Sequence, residues 1–315
     1  MKEADVISRV RAIFDQTPNP TNLIIPNGDD GAVFQATESQ VVVSTDIAVE
    51  DVHFRTEWSA GAEIGAKITA ANLADICAMG ARPTYLLVSV AFPKSYLAHL
   101  EDIAKGIFSE CSKVGAKVIG GDISTAEKLV ISITALGETS SSITRSGAKV
   151  NDLVMISNLP GWSAAGLLAL EKSFVSSALA QKAIKQHCAP AIDYEKYCNN
   201  FSKFNAATDI SDGLLLDAAN IAAASGLAIS LESAEIRKTE SYQELKNLAD
   251  QIMIGAENDV AMNWVLTGGE DHVLLVTGSE PIPGFWVIGK AIPGSGIYLD
   301  GKKVETTDGG FQHRW

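Results

Sequence analysis

Strand-length apolar runs alternate with helix-length segments along the whole chain, and this alternation constrains the fold more than any other feature. The runs QVVVSTDIAV (40–49) and TYLLVSVAF (84–92) have the apolar, β-branched character of strands, whereas SAGAEIGAKITAANLADICAMG (59–80) has the length and spacing of a helix closed by glycine. The second half repeats the pattern, with strands predicted at LAISLE, HVLLVT, FWVIGK and GIYLD. The alternation predicts an α/β or α+β protein, and it does not reveal the order of strands in a sheet.

The length predicts two domains. The chain has 315 residues, and single hydrophobic cores usually stop growing at about 250–300 residues. A polar, glycine-containing stretch, TRSGAKVND (144–152), precedes a new strand predicted at 153–157. We therefore expect an N-terminal domain at 1–140 and a C-terminal domain at 141–315.

Composition excludes several classes of partner. Hydrophobic residues make up 46% of the chain and charged residues 20%, which is typical of a globular protein. The formal net charge of −13 argues against nucleic acid and against an anionic membrane surface. No apolar run approaches the ~18 residues that span a bilayer. The first residues, MKEADVISRVRAIF, resemble an amphipathic helix rather than a signal peptide, and the four cysteines have no C-x-x-C spacing. We expect a soluble, cytoplasmic protein.

Acidic residues next to glycines recur at the edges of apolar elements. A single Asp-Gly pair usually indicates only a turn. Here the pattern occurs repeatedly, and binding residues concentrate at such edges in α/β folds. The stretches are GDDG (28–31), STDIAVEDVHF (44–54), GGD (120–122), DISDG (209–213) and GGED (268–271).

Asp75 is an acid within an apolar helical segment. It shares a predicted helix face with Ile68, Asn72 and Met79. An ionised carboxylate on such a face is costly unless a cation or a hydrogen-bond donor meets it. Two interpretations remain open, a face that borders solvent and a carboxylate directed at a metal ion. Oxygen ligands with few histidines fit Mg²⁺, which typically bridges carboxylates to phosphates.

Two further residues have equally open interpretations. His53 follows the acidic strand end and is either structural or a donor to a substrate phosphate. Arg145, beside a glycine, is either an exposed junction residue or a phosphate clamp. The chain contains no P-loop, G-x-S-x-G, H-E-x-x-H or protein-kinase signature, so the common nucleotide and hydrolase motifs do not apply.

Seven motifs in order resemble one known family. They are GDDGAVF, STDIAVEDVHF, ANLADICAMGARP, VIGGDIS, TRSGAKVND, DISDGLLLD and LTGGEDHVLLV. Together they resemble the thiamine-monophosphate kinases, a branch of the aminoimidazole ribonucleotide synthetase superfamily. The resemblance extends from about residue 20 to residue 311 and is weakest at 170–205 and 233–260.

The resemblance implies a fold and a reaction. The fold is an α/β N-terminal domain that binds ATP and Mg²⁺ and pairs through its sheet across a homodimer, followed by an α+β C-terminal domain. The reaction is direct in-line transfer from ATP to thiamine monophosphate, giving ADP and thiamine diphosphate. A phosphate monoester with a second pKa near 6 is already largely dianionic at neutral pH, so no general base and no covalent nucleophile is required.

The resemblance also implies site residues. The implied Mg²⁺ ligands are Asp30, Ser44, Thr45, Asp46, Asp75, Asp122, Asp209 and Asp212, with Asp46 and Asp122 catalytic through the metal. The implied ATP contacts are Gly121, Asp122, Arg145 and Ser211. The implied thiamine phosphate contacts are His53, Glu270 and the aromatic Phe311, for which Trp315 is a rival. Asp29 is expected to shape the turn or to support Asp30, so Asp30→Asn should damage activity more than Asp29→Asn.

Competing functions remain within and outside the superfamily. Selenophosphate synthetase would carry a reactive N-terminal cysteine, and the first cysteine here is Cys77, within a helical segment. The hydrogenase-maturation carbamoyl dehydratase would carry a C-terminal cysteine, and the last residues here are FQHRW. The purine-synthesis synthetases should differ in STDIAVEDVHF and GGED. A nucleotide-binding protein without activity is the alternative from a different class, and the full set of acids argues against it.

Overall fold

The computed structural model describes residues 3–26, 31–254 and 258–305. The chain divides into two compact units, Met1–Ser142 (unit 1) and Ile143–Trp315 (unit 2). Within the described ranges, no helix combines the length and the apolar character needed to cross a bilayer.

Unit 1 consists of two small sheets and three α-helices among its described residues. Its principal sheet has four strands in the order β3-β6-β4-β5, in which only β4 and β5 are parallel. A two-stranded sheet, β1-β2, accompanies it. In chain order the elements are α1 (Glu3–Phe14), β1 (Leu23–Ile25), β2 (Val33–Phe34), β3 (Gln40–Val49), α2 (Gly61–Ala78), β4 (Arg82–Phe92), a 3₁₀ turn (Lys94–Ala98), α3 (Leu100–Ser112), β5 (Lys117–Thr125) and β6 (Val130–Thr139).

The register of this sheet relates its two edge strands. Asp46 on β3 lies opposite Ile133 on β6, Ile133 lies opposite Val88 on β4, and Val88 lies opposite Gly121 on β5. The strands β3 and β5 are the two edges. Adjacent strands lie about 4.8 Å apart, so the edge strands are about 14 Å apart along the sheet.

Helices α2 and α3 pack against each other unusually closely because each has a glycine at the contact. A Cβ atom on Gly65 would lie 2.1 Å from the carbonyl oxygen of Ile103. A Cβ atom on Gly106 would lie 2.0 Å from the carbonyl oxygen of Ala62. Neither position therefore accepts a side chain without a shift of the main chain.

Unit 2 has a seven-stranded sheet in the order β13-β12-β9-β11-β7-β10-β8, in which only β12 and β9 are parallel. Its elements begin with a 3₁₀ turn (Arg145–Gly147), β7 (Leu153–Ile156), α4 (Trp162–Glu171), α5 (Ala178–Cys188), α6 (Tyr194–Cys198), a 3₁₀ turn (Phe201–Lys203) and β8 (Ala206–Asp209). They continue with α7 (Leu214–Ser225), β9 (Ala228–Leu231), α8 (Ser233–Arg237), α9 (Glu240–Ile252), α10 (Val260–Thr267), β10 (Leu274–Gly278), β11 (Trp286–Ile292), β12 (Gly296–Leu299) and β13 (Lys302–Val304).

The core of unit 2 lies between this sheet and the helices. Val154, Leu275 and Ile288 on neighbouring strands are fully buried and pack with α-helical residues such as Leu214 and Leu245. The five strands predicted in this half, including the one at 153–157, are confirmed, with ends that differ by one or two residues. Strand β8 was not expected, because its short sequence AATD has few β-branched residues.

Candidate active site

One face of β3 and the helix α2 carry three of the implied metal ligands. Ser44 and Asp46 lie two residues apart, so both side chains leave β3 on the same face. Ser44 Oγ donates a hydrogen bond of 2.6 Å to Oδ2 of Asp75 on α2. Asp75 is half-buried, and its carboxylate therefore faces the strand rather than simply bordering solvent. We call Ser44, Asp46 and Asp75 the unit 1 cluster.

Thr45 lies between Ser44 and Asp46, and its side chain points to the opposite face of the sheet. Its Oγ1 donates to the carbonyl oxygen of Ile133 at 3.1 Å and lies 3.0 Å from Oγ1 of Thr134. The structure therefore does not bring the Thr45 hydroxyl to the unit 1 cluster.

The loop after β3 orients His53. The main-chain N–H of Val49 donates to His53 Nδ1 at 3.1 Å. A neutral imidazole that accepts at Nδ1 carries its proton at Nε2. The half-buried ring therefore presents a hydrogen-bond donor at Nε2.

Glu50 holds this loop, and sequence reasoning missed it. Its carboxylate accepts hydrogen bonds from the hydroxyls of Tyr96 and Thr56 and from the main-chain N–H of Leu129. The hydrogen bond to Glu50 raises the pKa of Tyr96. The signal was present in the sequence, because Glu50 is an acid three residues before His53 in the same motif.

The glycines before Asp122 border an apolar cavity in unit 1. The cavity has a volume of about 130 Å³ and is lined by residues of α1 and α3, among them Phe14 and Ile107, and by 120–123 on β5. A Cβ atom on Gly121 would lie 1.8 Å from the carbonyl oxygen of Val88, so this position requires glycine. Asp122 is exposed beside the cavity.

The two strand aspartates of unit 1, Asp46 and Asp122, do not meet within one chain. Asp46 is on one edge strand and Asp122 on the other, about 14 Å apart along the sheet. Metal–oxygen distances near 2.1 Å are too short for one Mg²⁺ ion to bridge carboxylates at that separation.

Two loops of unit 2 carry the remaining acids. Asp209 ends β8 and is 3% exposed, and Ser211 and Asp212 follow it half-buried. The loop at 268–271 packs directly on them, because the N–H of Glu270 donates to the carbonyl oxygen of Ser211 at 2.8 Å. A Cβ atom on Gly269 would lie 2.3 Å from that same oxygen. We call Asp209, Ser211, Asp212 and Glu270 the unit 2 cluster.

Three buried side chains beneath the unit 2 cluster were not predicted. Asp217 accepts hydrogen bonds from the main chain of the 211–213 loop, and burial, followed by the charge of Asp209, raises its pKa to about 7. His272 Nδ1 lies 3.0 Å from Oδ2 of Asp209. Asp271 is 1% exposed, and burial raises its pKa to about 6. It accepts hydrogen bonds of 2.6 and 3.0 Å from the N–H groups of Gly161 and Ser163 at the start of α4.

Arg145 lies beside the strand that carries Asp209. Its Nε donates to Oγ1 of Thr208 at 3.2 Å, and its carbonyl oxygen accepts from Ser225 Oγ at 2.8 Å. The side chain is exposed. Arg145 is therefore tied to the unit 2 sheet next to the unit 2 cluster, rather than being an unattached junction residue.

Most of the chain matches known protein families and known proteins. Residues 28–139 match the family model AIR synthase related protein, N-terminal domain, and residues 149–302 match AIR synthase related protein, C-terminal domain. The chain is 33% identical over 290 residues to thiamine-monophosphate kinase of Mycobacterium tuberculosis (strain CDC 1551 / Oshkosh), covering 90% of this chain and 84% of that protein.

Solved structures of thiamine-monophosphate kinases have a similar fold over nearly the whole chain. Thiamine-monophosphate kinase from Stenotrophomonas maltophilia K279a superposes with a TM-score of 0.82 at 26% identity, covering 96% of this chain and 98% of that chain. AaThiL complexed with AMPPCP and TMP superposes with a TM-score of 0.80 at 29% identity, covering 99% of this chain and 97% of that chain.

The chain belongs to the thiamine-monophosphate kinase family. The resemblance inferred from the seven motifs is confirmed, and so is the two-domain synthetase-like fold. The pairing of the N-terminal sheet across a dimer stays a prediction.

The implied site residues of the thiamine-monophosphate kinase family separate into three sets in this structure. The unit 1 cluster and the unit 2 cluster are each assembled within one unit, whereas Asp122 lies on the opposite sheet edge from Asp46. Asp30, Phe311 and Trp315 lie outside the described residues. Within those residues, no group of three or more His, Cys, Asp or Glu side chains is arranged to hold a metal ion by itself.

Proposed function

We propose that this chain phosphorylates thiamine monophosphate with ATP, giving thiamine diphosphate and ADP in thiamine diphosphate biosynthesis. The observation that carries the proposal is the unit 1 cluster, in which Ser44 and Asp75 form a preorganised pair of oxygen donors. The choice of substrates is supported by the relatives, which are thiamine-monophosphate kinases, one of them complexed with AMPPCP, an ATP analogue, and TMP, thiamine monophosphate. We place the enzyme in the cytoplasm, where ATP is present.

The proposed chemistry is direct in-line transfer between two phosphates. The attacking oxygen belongs to a phosphate that is already largely dianionic at neutral pH, so the protein has only to position it and to offset its charge. The proposed site residues are acids, hydroxyls, an imidazole and a guanidinium, which suits positioning and charge compensation rather than covalent catalysis.

We propose that several Mg²⁺ ions bind these residues. Mg²⁺ prefers carboxylate, hydroxyl and water oxygens, and the unit 1 cluster presents such oxygens. When bound, these ions would neutralise the charge that two phosphate groups bring together. The Thr45 hydroxyl fits the set least well, because it is bonded across the sheet. We therefore leave Thr45 out, and the proposed ligands are Asp30, Ser44, Asp46, Asp75, Asp122, Asp209 and Asp212.

The proposed ATP site lies beside Asp122. The apolar cavity between α1, α3 and β5 suits a purine base, and Gly121, which borders it, is the proposed main-chain contact. Arg145 and Ser211 are further proposed ATP contacts, since a guanidinium and a hydroxyl both donate to phosphate oxygens.

The proposed thiamine phosphate contacts are His53, Glu270 and Phe311. The Nε2 of His53 is a donor suited to a phosphate oxygen, because Nδ1 already accepts from Val49. The Glu270 carboxylate is half-buried and suits the amino group of the pyrimidine ring. Phe311 is the proposed aromatic partner of that ring.

We also propose that the active enzyme is a homodimer formed through the unit 1 sheet. Val43 and Ile47 on β3 are 60% and 56% exposed, which leaves an apolar surface on the sheet. Asp46 and Asp122 lie on opposite edges of one sheet, so we propose a pairing that sets β3 of one protomer beside β5 of its partner. Each site would then use Asp46 from one chain and Asp122 from the other.

Subunit complementation tests this arrangement. Asp46→Asn and Asp122→Asn chains should each be inactive alone. After mixing and subunit exchange, half of the dimers should carry one intact site, so activity should recover to about a quarter of the wild-type value. No recovery, with mixed dimers verified by native mass spectrometry, would show that both acids act within one chain.

A coupled ADP-release assay tests the function itself. We expect ADP release that requires both thiamine monophosphate and Mg²⁺, with thiamine diphosphate identified by chromatography. Release no greater than the ATP-only background, from protein shown to be folded by circular dichroism, would refute the kinase activity.

A further inference from the structure

The carboxylate of Asp217 holds the loop that precedes α7. Its Oδ2 accepts hydrogen bonds of 3.1 Å from the main-chain N–H groups of Ser211, Asp212 and Gly213. All three donors lie before the helix, which begins at Leu214. Asp217 is 2% exposed. One buried oxygen therefore fixes the stretch of main chain on which Ser211 and Asp212 stand.

This arrangement differs from an ordinary helix cap. In an ordinary cap, the residue before the helix accepts from N–H groups of the first turn. The capping position of α7 is Gly213, which provides no side-chain hydrogen bond. Asp217 instead lies inside the helix and reaches back to the loop. Its contacts immobilise residues outside α7.

The same loop determines where the 268–271 loop lies. The carbonyl oxygen of Ser211 accepts from the N–H of Glu270 at 2.8 Å. The Glu270 main chain has a φ of 63°, a conformation that non-glycine residues rarely adopt without support. A displacement of Ser211 would therefore also displace Glu270.

We propose that Asp217 is a positioning residue that holds the unit 2 cluster ready for its ligands. The proposal deepens the proposed function and rests on it for the identity of those ligands. Three successive N–H groups that converge on one point make a typical anion site. Here the protein's own carboxylate, that of Asp217, occupies this site. A bound phosphate therefore has to contact the Ser211 hydroxyl and cations held at Asp212, because the N–H groups of this stretch are already used.

Amide hydrogen exchange of the ligand-free, full-length protein tests the clamp without reference to activity. Asp217→Ala should increase exchange at Ser211, Asp212 and Gly213 by about 10-fold or more, because the acceptor is gone. Asp217→Asn keeps one acceptor oxygen and should lie between the wild type and Asp217→Ala. If Asp217→Ala does not fold, Asp217→Asn alone still tests the proposal. Unchanged exchange in the folded variants would overturn the proposal.

Steady-state kinetics test the consequence for the site. Asp217→Ala should raise the half-saturating Mg²⁺ concentration and the KM for ATP by about 10- to 100-fold, the usual cost of losing support behind a ligand. Asp217→Asn should recover part of the loss. A variant that only lowers the melting temperature, with both constants unchanged, would show that Asp217 serves stability alone.

Asp152 offers a matched control in the same unit. It is 4% exposed and accepts hydrogen bonds from the N–H of Lys149 at 2.9 Å and from the Asn205 amide at 3.0 Å. Asp152→Ala should lower stability while leaving exchange at 211–213 and the Mg²⁺ dependence unchanged. Equal effects in both Ala variants would overturn the proposal. If the wild type releases no ADP, the kinase function fails, and the exchange comparison still decides the role of Asp217.

Discussion

In unit 1 the candidate metal ligands that the structure describes stand directly on regular secondary structure, whereas in unit 2 most of the candidate site residues stand on loops. Ser44 and Asp75 project from a strand and a helix, whose backbone hydrogen bonds already determine their positions. Ser211, Asp212 and Glu270 follow or precede strands, and they are supported by buried Asp217 and by contacts between loops. Substitutions in unit 1 should therefore change chemistry with little loss of stability, whereas substitutions beneath the unit 2 cluster should change both.

The largest effect is expected at Asp122. Asp122→Asn should lower turnover by at least about 100-fold, because the variant loses a negative charge proposed to act through the metal. Its melting temperature should stay close to the wild-type value, since Asp122 is exposed. The coupled ADP assay measures turnover, with Asp250→Asn, an exposed acid on α9, as the matched control. Near-normal turnover would mean that the metal assignment is wrong.

Ser44→Ala examines whether the strand hydroxyl matters through Asp75. Loss of the 2.6 Å hydrogen bond should raise the half-saturating Mg²⁺ concentration by about 10- to 100-fold, with a small change in stability. Ser112→Ala on α3, which removes a hydroxyl bonded to a helix carbonyl, is the control. If Ser44→Ala and Ser112→Ala have the same half-saturating Mg²⁺ concentration, the proposed role of the Ser44 hydroxyl in unit 1 is wrong.

His53→Ala should weaken the binding of only one of the two substrates. We expect the KM for thiamine monophosphate to rise about 10-fold while the KM for ATP stays nearly constant, because one hydrogen bond to a charged group is lost. His53→Gln, which retains an amide donor, should recover part of the loss, and His99→Gln on the surface should have no effect. A parallel rise in both constants would argue against a role at the acceptor phosphate.

The smallest effect is a pH dependence of stability from Asp271. Burial raises the pKa of this carboxyl to about 6 from its usual 3.8, so the folded state keeps a proton that the unfolded state releases. Its contribution to stability is fully present below pH 3.8 and is lost as the pH rises through about 6. In urea titrations, the unfolding free energy of the wild type relative to Asp271→Asn should fall over this range. A difference that is flat or rises with pH would contradict the assignment.

Local pattern predicted much of unit 1 but not its sheet order. Strand β3 was expected at its observed ends and α2 within two residues of them, because β-branched runs and a long helical period are strong signals. The sheet order was not accessible, because strand pairing depends on contacts between distant residues, such as β4 with both β5 and β6. The separation of Asp46 from Asp122 follows from that order and was therefore unexpected.

The supporting residues of unit 2 were missed for a different reason. Asp217 lies in LLLDAAN, where an acid among apolar residues gives the same kind of signal as Asp75, but it was not singled out. The partners of Asp217, Asp271 and His272 are main-chain groups or residues far away in the chain. A motif shows which residue types are present, and it does not show which buried groups hold them.

The glycine contact between α2 and α3 brings the main chain of each helix against the other. With a carbonyl oxygen where each glycine's side chain would otherwise stand, we expect the two helices to move together. Asp75 is on α2 and part of the cavity wall is on α3, so we expect a movement of α3 at the cavity to reach the unit 1 cluster through the backbone. A single methyl group at Gly65 or Gly106 would separate the helices and release this mechanical link, at a distance from every proposed ligand.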